Sequence, residues 1–491
     1  MAPKHDSNSA NPSSHSSYEY AKTNNSEHYD LIVIGSGPAG EKGASQAAYL
    51  GRSVLVIDAS LAGGAWVNTG TIPSKTLRET ALYLSGGRGL GISTPFGRER
   101  SVQNLMAMER RIVTRWREKV ERGFKELEIK RKTALASFKD PYTLSLSDGT
   151  EVTADHFLIA TGSRPRPIDF APVDGECIHD SDTLLRISEI PETMIVLGGG
   201  VIGCEYASMM QALGVQVTLL NAHDRLLGWL DSDASTLLEE AFTQSGIVIR
   251  HGARAAAVER SSLGVNITLD DGTLAQADMC FLGLGRLPNT EKLNLANAGV
   301  KLSKRGTIIV DEFQKTNVDH IYAAGDVVGF PSLASVSMEQ GRVATSYMFG
   351  EERGALNKLF PYGVYTIPEV STVGLDEASA LREGYDIVTG VADYQKSVRS
   401  VMLGAEQGLV KLVVDRKTHR LLGATIVGAQ ATELIHYAAA VIHYQGTVDE
   451  MITFVFNLPT LSVLYKQAAS NALHKLNCKE SEEFRERSEP L

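Results

Sequence analysis

The sequence predicts an α/β chain with two Rossmann-like dinucleotide-binding domains followed by a C-terminal α+β domain, on three observations. YDLIVIGSGPAGEKGASQAAYLGRSVLVID, from Tyr29 to Asp58, reads as a strand, a glycine turn, an Ala-rich helix and a second strand. The same order and glycine spacing recur from Met194 to Asn221 in MIVLGGGVIGCEYASMMQALGVQVTLLN. From about Leu359 the text turns to alternating strands and a helical tail. Each βαβ unit puts a helix N-terminus against phosphates, so two copies imply two dinucleotides, one held and one exchanged.

Length and composition set the limits. A chain of 491 residues is too long for one core, which stops growing near ~250–300 residues. A hydrophobic content of 43% and a charged content of 22% are ordinary for a globular protein. No apolar run is long enough to span a bilayer, so no membrane role is expected. The net charge of −10 argues against nucleic-acid binding. Cys177, Cys204, Cys280 and Cys478 show no CxxC and no metal spacing, so neither a disulfide framework nor a metal site is expected. The start Met is followed by no apolar signal region, and a reducing cytoplasm is the expected compartment.

Residues 1–28 are rich in Ser, Asn and His, too poor in apolar groups to repay ordering, and are expected to form a disordered tail. In the first unit Gly35 and Gly37 allow the tight turn and close approach to a pyrophosphate. Gly40 lets helix pack on strand, and Asp58 would take ribose hydroxyls. Next comes GGAWVNTGTIPSK, Gly63 to Lys75, joining this unit to a helix expected to start near Pro73 with Ser74 capping. Lys75 would project from that helix start, beside whatever the glycines admit. Residues 101–130 carry apolar residues at helical spacing and predict a long amphipathic helix. Asp148-Gly149 marks a turn, and FLIATGSRP from Phe157 reads as a buried strand ending in a glycine turn.

In the second unit Gly198, Gly200 and Gly203 repeat the earlier spacing. Its closing strand ends in Asn221, where sites dedicated to NAD place an acid, and His223 and Arg225 follow. Without a carboxylate to repel it, a 2′-phosphate becomes tolerable; the alternative is an uncommitted surface loop. Asn221 could donate to either sugar, Arg225 supplies a permanent charge and His223 a conditional one.

GGAWVNTGTIPSK resembles the active-site segment of the pyridine nucleotide-disulfide oxidoreductases, whose pattern GGxCxxxGC[IV]PSK carries a redox-active cysteine pair. Gly63, Gly64, Gly70, Pro73, Ser74 and Lys75 match, but Trp66 stands at the first cysteine and Thr71 at the second. Five motifs follow the family's order between Tyr29 and Lys475. The resemblance implies FAD at the first unit, closed by Ala160, Thr161 and Gly162. It implies that Asp326, after Gly325, bonds the flavin's ribityl chain, with Ala334 in the same motif. Gly285, in GLGRLPNT, belongs to the segment ending the nicotinamide domain. Implied boundaries are 29–186 with 287–358 for FAD, 187–286 for NAD(P) and 359–491 for an interface domain through which such proteins form homodimers.

Within that family the chain is similar to the soluble transhydrogenases, which share GTIPSK, GVIGCEYAS and YTIPE. They generally keep the first cysteine, so Trp66 departs from them as well. Disulfide reductases also place a His-Glu dyad in HPTxxE; here Leu458 and Val463 occupy those positions. A disulfide reductase needs a thiolate next to the flavin and a base to handle its proton, and at the positions the resemblance assigns this chain has neither. What the resemblance leaves is hydride transfer between NAD(P)H and FAD, assisted by Lys75 paired with Glu205. Transhydrogenation is the leading expectation. Alternatives are electron transfer to a quinone or other small acceptor, and a flavin-binding pseudoenzyme. Trp66 would either fill the lost disulfide side or stack at the flavin edge.

Overall fold

The computed structural model describes residues 27–85, 98–351 and 354–488, the side chains of 98–105 and 479–488 excepted. All but the last two residues of the expected tail lie outside them.

The first sheet contains β1 (Glu27–Ile34), β2 (Val54–Asp58), β3 (Lys130–Thr133), β4 (Ala136–Asp140), β5 (Thr143–Leu146) and β6 (Glu151–Ile159), in the order β3-β2-β1-β6-β5-β4. The late strand Ile321–Ala323 pairs with the end of β6 and makes it seven-stranded. β3, β2, β1, β6 and that strand run parallel, whereas β6, β5 and β4 form an antiparallel meander. Leu31, Ile32 and Val33 of β1 are fully buried, Leu31 and Val33 among the helix residues Ala44, Ala47 and Val120, and Ile32 on the other face among Phe138, Leu144 and Leu295. The turn at Asp148-Gly149 is present, with Gly149 at φ +83°.

Helix α1 (Pro38–Tyr49) crosses from β1 to β2 with Pro38 in its first turn, where a missing N–H costs nothing. Its inner face is small: Ala39, Gly40, Gly43, Ala44 and Ala47 are buried. That lets the helix Ala334–Met348 approach so closely that a Cβ on Gly341 would sit 2.1 Å from the Ala39 carbonyl oxygen. Past β2 come a short helix, α2 (Gly64–Asn68), then α3 (Thr71–Ser85) and the long α4 (Arg98–Glu126). Two expectations change here. The helix near Pro73 starts at Thr71, and Ser74 does not cap it. Ser74 donates its N–H to the Gly70 carbonyl at 3.0 Å and its hydroxyl back to Thr71 at 3.4 Å. Pro73 is still in the first turn, which needs no donor there.

The second parallel sheet orders its strands Val248–His251, Gln216–Asn221, Thr193–Leu197, Met279–Leu282 and Ile178–His179. Helix α5 (Val201–Ala212) follows Thr193–Leu197 and completes the second βαβ unit. A two-stranded ribbon, Ser163–Pro165 against Arg286–Pro288, carries the chain out to this sheet and back. The C-terminal part is a five-stranded sheet packed by Ala431–His443 and Val463–Ser488. Among the described residues no helix is long and apolar enough to cross a membrane.

Candidate functional site

A cavity of about 1020 Å³ opens where the three sheets meet. Gly35, Gly37, Asp58, Lys75, Ala160, Thr161, Gly162, Glu205, Gly325, Asp326 and Ala334 all line it. Gly40 stands just behind, locking the turn: a Cβ there would lie 1.9 Å from the Gly35 carbonyl oxygen. Gly35 itself, at φ +106°, would put a Cβ 2.3 Å from the oxygen of Ala160. Only glycine fits both positions, and their backbone therefore stays open to a ligand.

The far end is closed by Asp58. Its Oδ2 accepts from the Ser36 N–H at 2.7 Å and its Oδ1 from Ser60 at 2.9 Å. The Ser36 hydroxyl also contacts Asp58 and accepts from Gly63 N–H at 3.0 Å, tying the 60s loop to the first turn. Midway, the Ser163 hydroxyl donates to Asp326 at 2.7 Å, and Arg286 donates to Ser163 at 2.8 Å through both its Nε and Nη2. Thr161 and Gly162 are held by Asn289, whose amide donates to the Thr161 carbonyl at 2.9 Å. Gly325 donates to Gln340 at 2.9 Å, and Ala334 begins a helix whose N-terminus is left uncapped by side chains. Sequence reasoning missed Ser36, Ser163, Arg286 and Asn289. Their signal was position alone: each is adjacent to, or within four residues of, a glycine that was read.

The residues present fit FAD. A glycine turn that excludes any Cβ, a helix N-terminus behind it, a terminal acid with unused lone pairs and a cavity long enough for a dinucleotide are what such a group requires.

At the near end Lys75 donates to Glu205 Oε2 at 2.7 Å. Glu205 is buried, and its other oxygen accepts from the Tyr365 N–H at 2.9 Å. The Lys75 ammonium also lies 4.7 Å from the centre of the Tyr365 ring, a cation–π contact. A second buried pair steadies this end: Arg78 of α3 donates to Glu369 at 2.9 Å and to the Thr366 carbonyl at 3.2 Å. Burial, with the charges of Glu369 and Glu205, holds the Tyr365 phenol above its ordinary range.

The second glycine turn lies outside the cavity, one helical turn from Glu205. Gly198 adopts φ +109°, and a Cβ on Gly203 would lie 1.8 Å from the Gly198 oxygen. Gly200 has open space around it. Gly285, at φ +96°, precedes Arg286 and accepts from Arg166 N–H at 3.0 Å. The structure turns Asn221 inward. It is 2% exposed and donates to the carbonyls of His223 and Arg225 at 3.1 and 3.0 Å, so its amide shapes the loop. Its hydrogens are used there, which leaves none for a ribose. His223 is exposed, and Arg225 donates to the Gly228 carbonyl at 2.8 Å.

Trp66 both lines the cavity and packs edge-on against Trp116 of α4, ring centres 5.5 Å apart. Thr71 also lines the cavity. Leu458 is 77% exposed and Val463 starts the final long helix, so neither reaches the Lys75 end within this chain. The four cysteines form no disulfide and none lines the cavity. Burial pushes the Cys204 and Cys280 thiols far up. Alkylation or arsenite should therefore leave turnover unchanged; a loss on thiol blocking would show that a cysteine takes part after all.

Comparison with known proteins agrees with this architecture. The sequence pattern of the pyridine nucleotide-disulphide oxidoreductases matches residues 29–341, and that of the family's dimerisation domain residues 360–469. The chain is 39% identical over 457 residues to the soluble pyridine nucleotide transhydrogenase of Mycobacterium bovis, covering 91% of this chain and 98% of that one. It is 37% identical over 465 residues to the Vibrio atlanticus protein of the same name, covering 92% and 99%. Among solved structures it resembles the HOCl-induced flavoprotein disulfide reductase RclA of Escherichia coli, with a TM-score of 0.83 at 27% identity over 90% of this chain and 99% of that one. LpdA of Mycobacterium tuberculosis gives 0.83 at 29% over the same shares. With two glycine turns and both family patterns in place, the chain belongs to the pyridine nucleotide-disulphide oxidoreductase family.

Proposed function

We propose that this protein is an FAD-dependent NAD(P)H oxidoreductase that works as a transhydrogenase, moving hydride between NADPH and NAD⁺. One observation carries the reading. Helix α5 begins at the second glycine turn and, one turn later, places Glu205 against Lys75 in the flavin cavity. A nicotinamide dinucleotide held by its pyrophosphate at Gly198–Gly200 is thereby led to the flavin end. The transhydrogenase names of the relatives support it, as does the absence of any thiol at the cavity.

Bound FAD supplies a two-electron hydride acceptor and donor. Everything else falls to the chain. Gly35, Gly37 and Asp58 would hold the adenosine diphosphate half, while Asp326 and Ser163 would take the sugar chain. Lys75 would offer a positive charge at this end of the cavity that favours extra electron density on the bound flavin, and Glu205 keeps that ammonium from being stranded. Trp66, packed on Trp116, closes the side where a disulfide would enter. One nicotinamide pocket then serves donor and acceptor in turn. No acid stands at Asn221, which tolerates both nucleotides, and Arg225 and His223 offer charge to a 2′-phosphate.

Phe454, Val455 and Leu458 are 48%, 95% and 77% exposed, and this apolar run supports a homodimer through the dimerisation domain. Four unbridged cysteines fit a reducing, cytoplasmic setting. The deciding experiment is a steady-state assay of NADPH with thio-NAD, beside quinone and oxygen controls. Hydride transfer to thio-NAD at rates well above either control is expected. Transfer only to quinone or oxygen would replace this reading with a dehydrogenase or oxidase, and a flavin left unbleached by both nucleotides would mark a pseudoenzyme.

A further inference from the structure

A second cavity of about 1200 Å³ lies behind the first, between the loop that follows Asn221 and the C-terminal sheet. The two share a single lining residue, Tyr362. Its ring thus stands between the first cavity and a second, solvent-open one lined by Trp229, Phe330, Phe360 and Leu421 together with the charged Lys358, Asp376 and Arg420. Tyr362 opens the strand Tyr362–Val364, and three residues on, the Tyr365 N–H holds Glu205. The partition therefore stands at the Lys75–Glu205 end.

Behind Tyr362 stands Trp229, edge-on, ring centres 4.8 Å apart at 62°. Trp229 does not line the first cavity. It belongs to the loop that begins at Asn221, and that loop is fixed on both sides of it. Leu227 N–H donates to the Gly199 carbonyl at 2.9 Å, inside the second glycine turn. Asp231 accepts from Lys411 of the C-terminal sheet at 3.0 Å. Trp229 is half exposed, and its buried edge packs against the Tyr362 ring.

On the reading that nicotinamide binds beside Lys75 and Glu205, we propose that Tyr362 is a specificity-determining wall of the nicotinamide end. Trp229 is the residue that positions it, so that one aromatic pair joins the nucleotide loop to the place of hydride transfer. A planar nicotinamide can lie against this ring, whereas dioxygen gains nothing from it, so losing the ring weakens nucleotide occupancy and leaves the site open to oxygen for longer. Burial, with the charges of Glu205 and Asp326, holds the Tyr362 phenol above its ordinary range.

The test uses the FAD-loaded protein with Tyr362→Ala, Tyr362→Leu, Tyr362→Phe and Trp229→Ala. Two quantities are read: half-saturation by NADH, and hydrogen peroxide formed per NADH in NADH + H⁺ + O₂ → NAD⁺ + H₂O₂. Tyr362→Ala merges the cavities and is expected to raise both, half-saturation by about tenfold, the scale of one lost aromatic contact. Tyr362→Phe should show the smallest change, since the ring remains. Tyr362→Leu retains bulk without the ring and should raise half-saturation even if the alanine variant fails to hold FAD. Trp229→Ala should move both readouts in the same direction from outside the site. Parent values in Tyr362→Ala and Tyr362→Leu would overturn the wall, and parent values in Trp229→Ala alone would overturn the positioning. Failure of the parent to reduce thio-NAD would instead overturn the functional reading, and is read separately.

Discussion

Glu205→Gln is expected to destabilise the protein and slow flavin reduction together. The glutamine amide can still accept from Tyr365 N–H, so the variant removes the charge and leaves the backbone contact in place. Lys75 then has no anion at 2.7 Å, only the Tyr365 ring. Breaking a buried pair from one side costs about 3–5 kcal/mol, and because the Lys75 side chain is 26% exposed the lower end applies. Reduction by NADPH should slow on the order of tenfold or more, the scale of losing one charged group aimed at the reacting centre. Denaturant unfolding of the FAD-bound protein and anaerobic stopped-flow reduction measure the two effects. Parent stability with parent reduction would show that the pair plays neither part.

Lys411→Met should have an effect of similar size on stability. Lys411 is 1% exposed and meets Asp231 at 3.0 Å, Asp233 at 2.7 Å and Glu377 at 3.3 Å, across the second parallel sheet's helix cap and the C-terminal sheet. Burial would lower its pKa, but bonds to Asp233 and Asp231 and the Glu377 charge outweigh that and hold it above the ordinary lysine range. Methionine removes the cation and leaves carboxylates facing one another, at a cost on the order of 3–5 kcal/mol. Because the folded value is the higher one, the stabilisation is complete below the unfolded ~10.4 and is lost as pH rises through the folded value. The gap between parent and variant should accordingly narrow in strong alkali. Adding Asp231→Asn, which can still cap its helix, should recover part of the loss. A Lys411→Met protein as stable as the parent at neutral pH would sink the argument.

The glycine turns were legible in the sequence because only one residue type survives where a Cβ would meet a carbonyl oxygen at 1.8 to 2.3 Å. Lys75 could be placed at a helix start from local text, but its partner lies 130 positions away, and only resemblance suggested Glu205. Asn221 was found at the right strand end with its side chain assigned to the wrong direction. Strand position is a backbone property, whereas the inward turn depends on two loop carbonyls with no local signature. Lys411 was missed altogether. In LVKLVVD it interrupts an apolar run, and that was the available hint of a buried charge; its carboxylates come from two other elements and the turn before one of them. Tyr362 escaped for a similar reason, since a partition between cavities exists only after three sheets have met.

The ribbon of Ser163–Pro165 against Arg286–Pro288 bears on how the chain assembles. β6 must find Ile321–Ala323, a partner separated from it by the whole of the second parallel sheet. Once the intervening segment has folded and zipped the ribbon, its two ends are already neighbours, and the first sheet experiences that segment as a short link. The effective loop shrinks about fourfold, which removes about 1.2 kcal/mol of closure entropy from the late pairing. The inner unit thus acts as a clasp for the outer one.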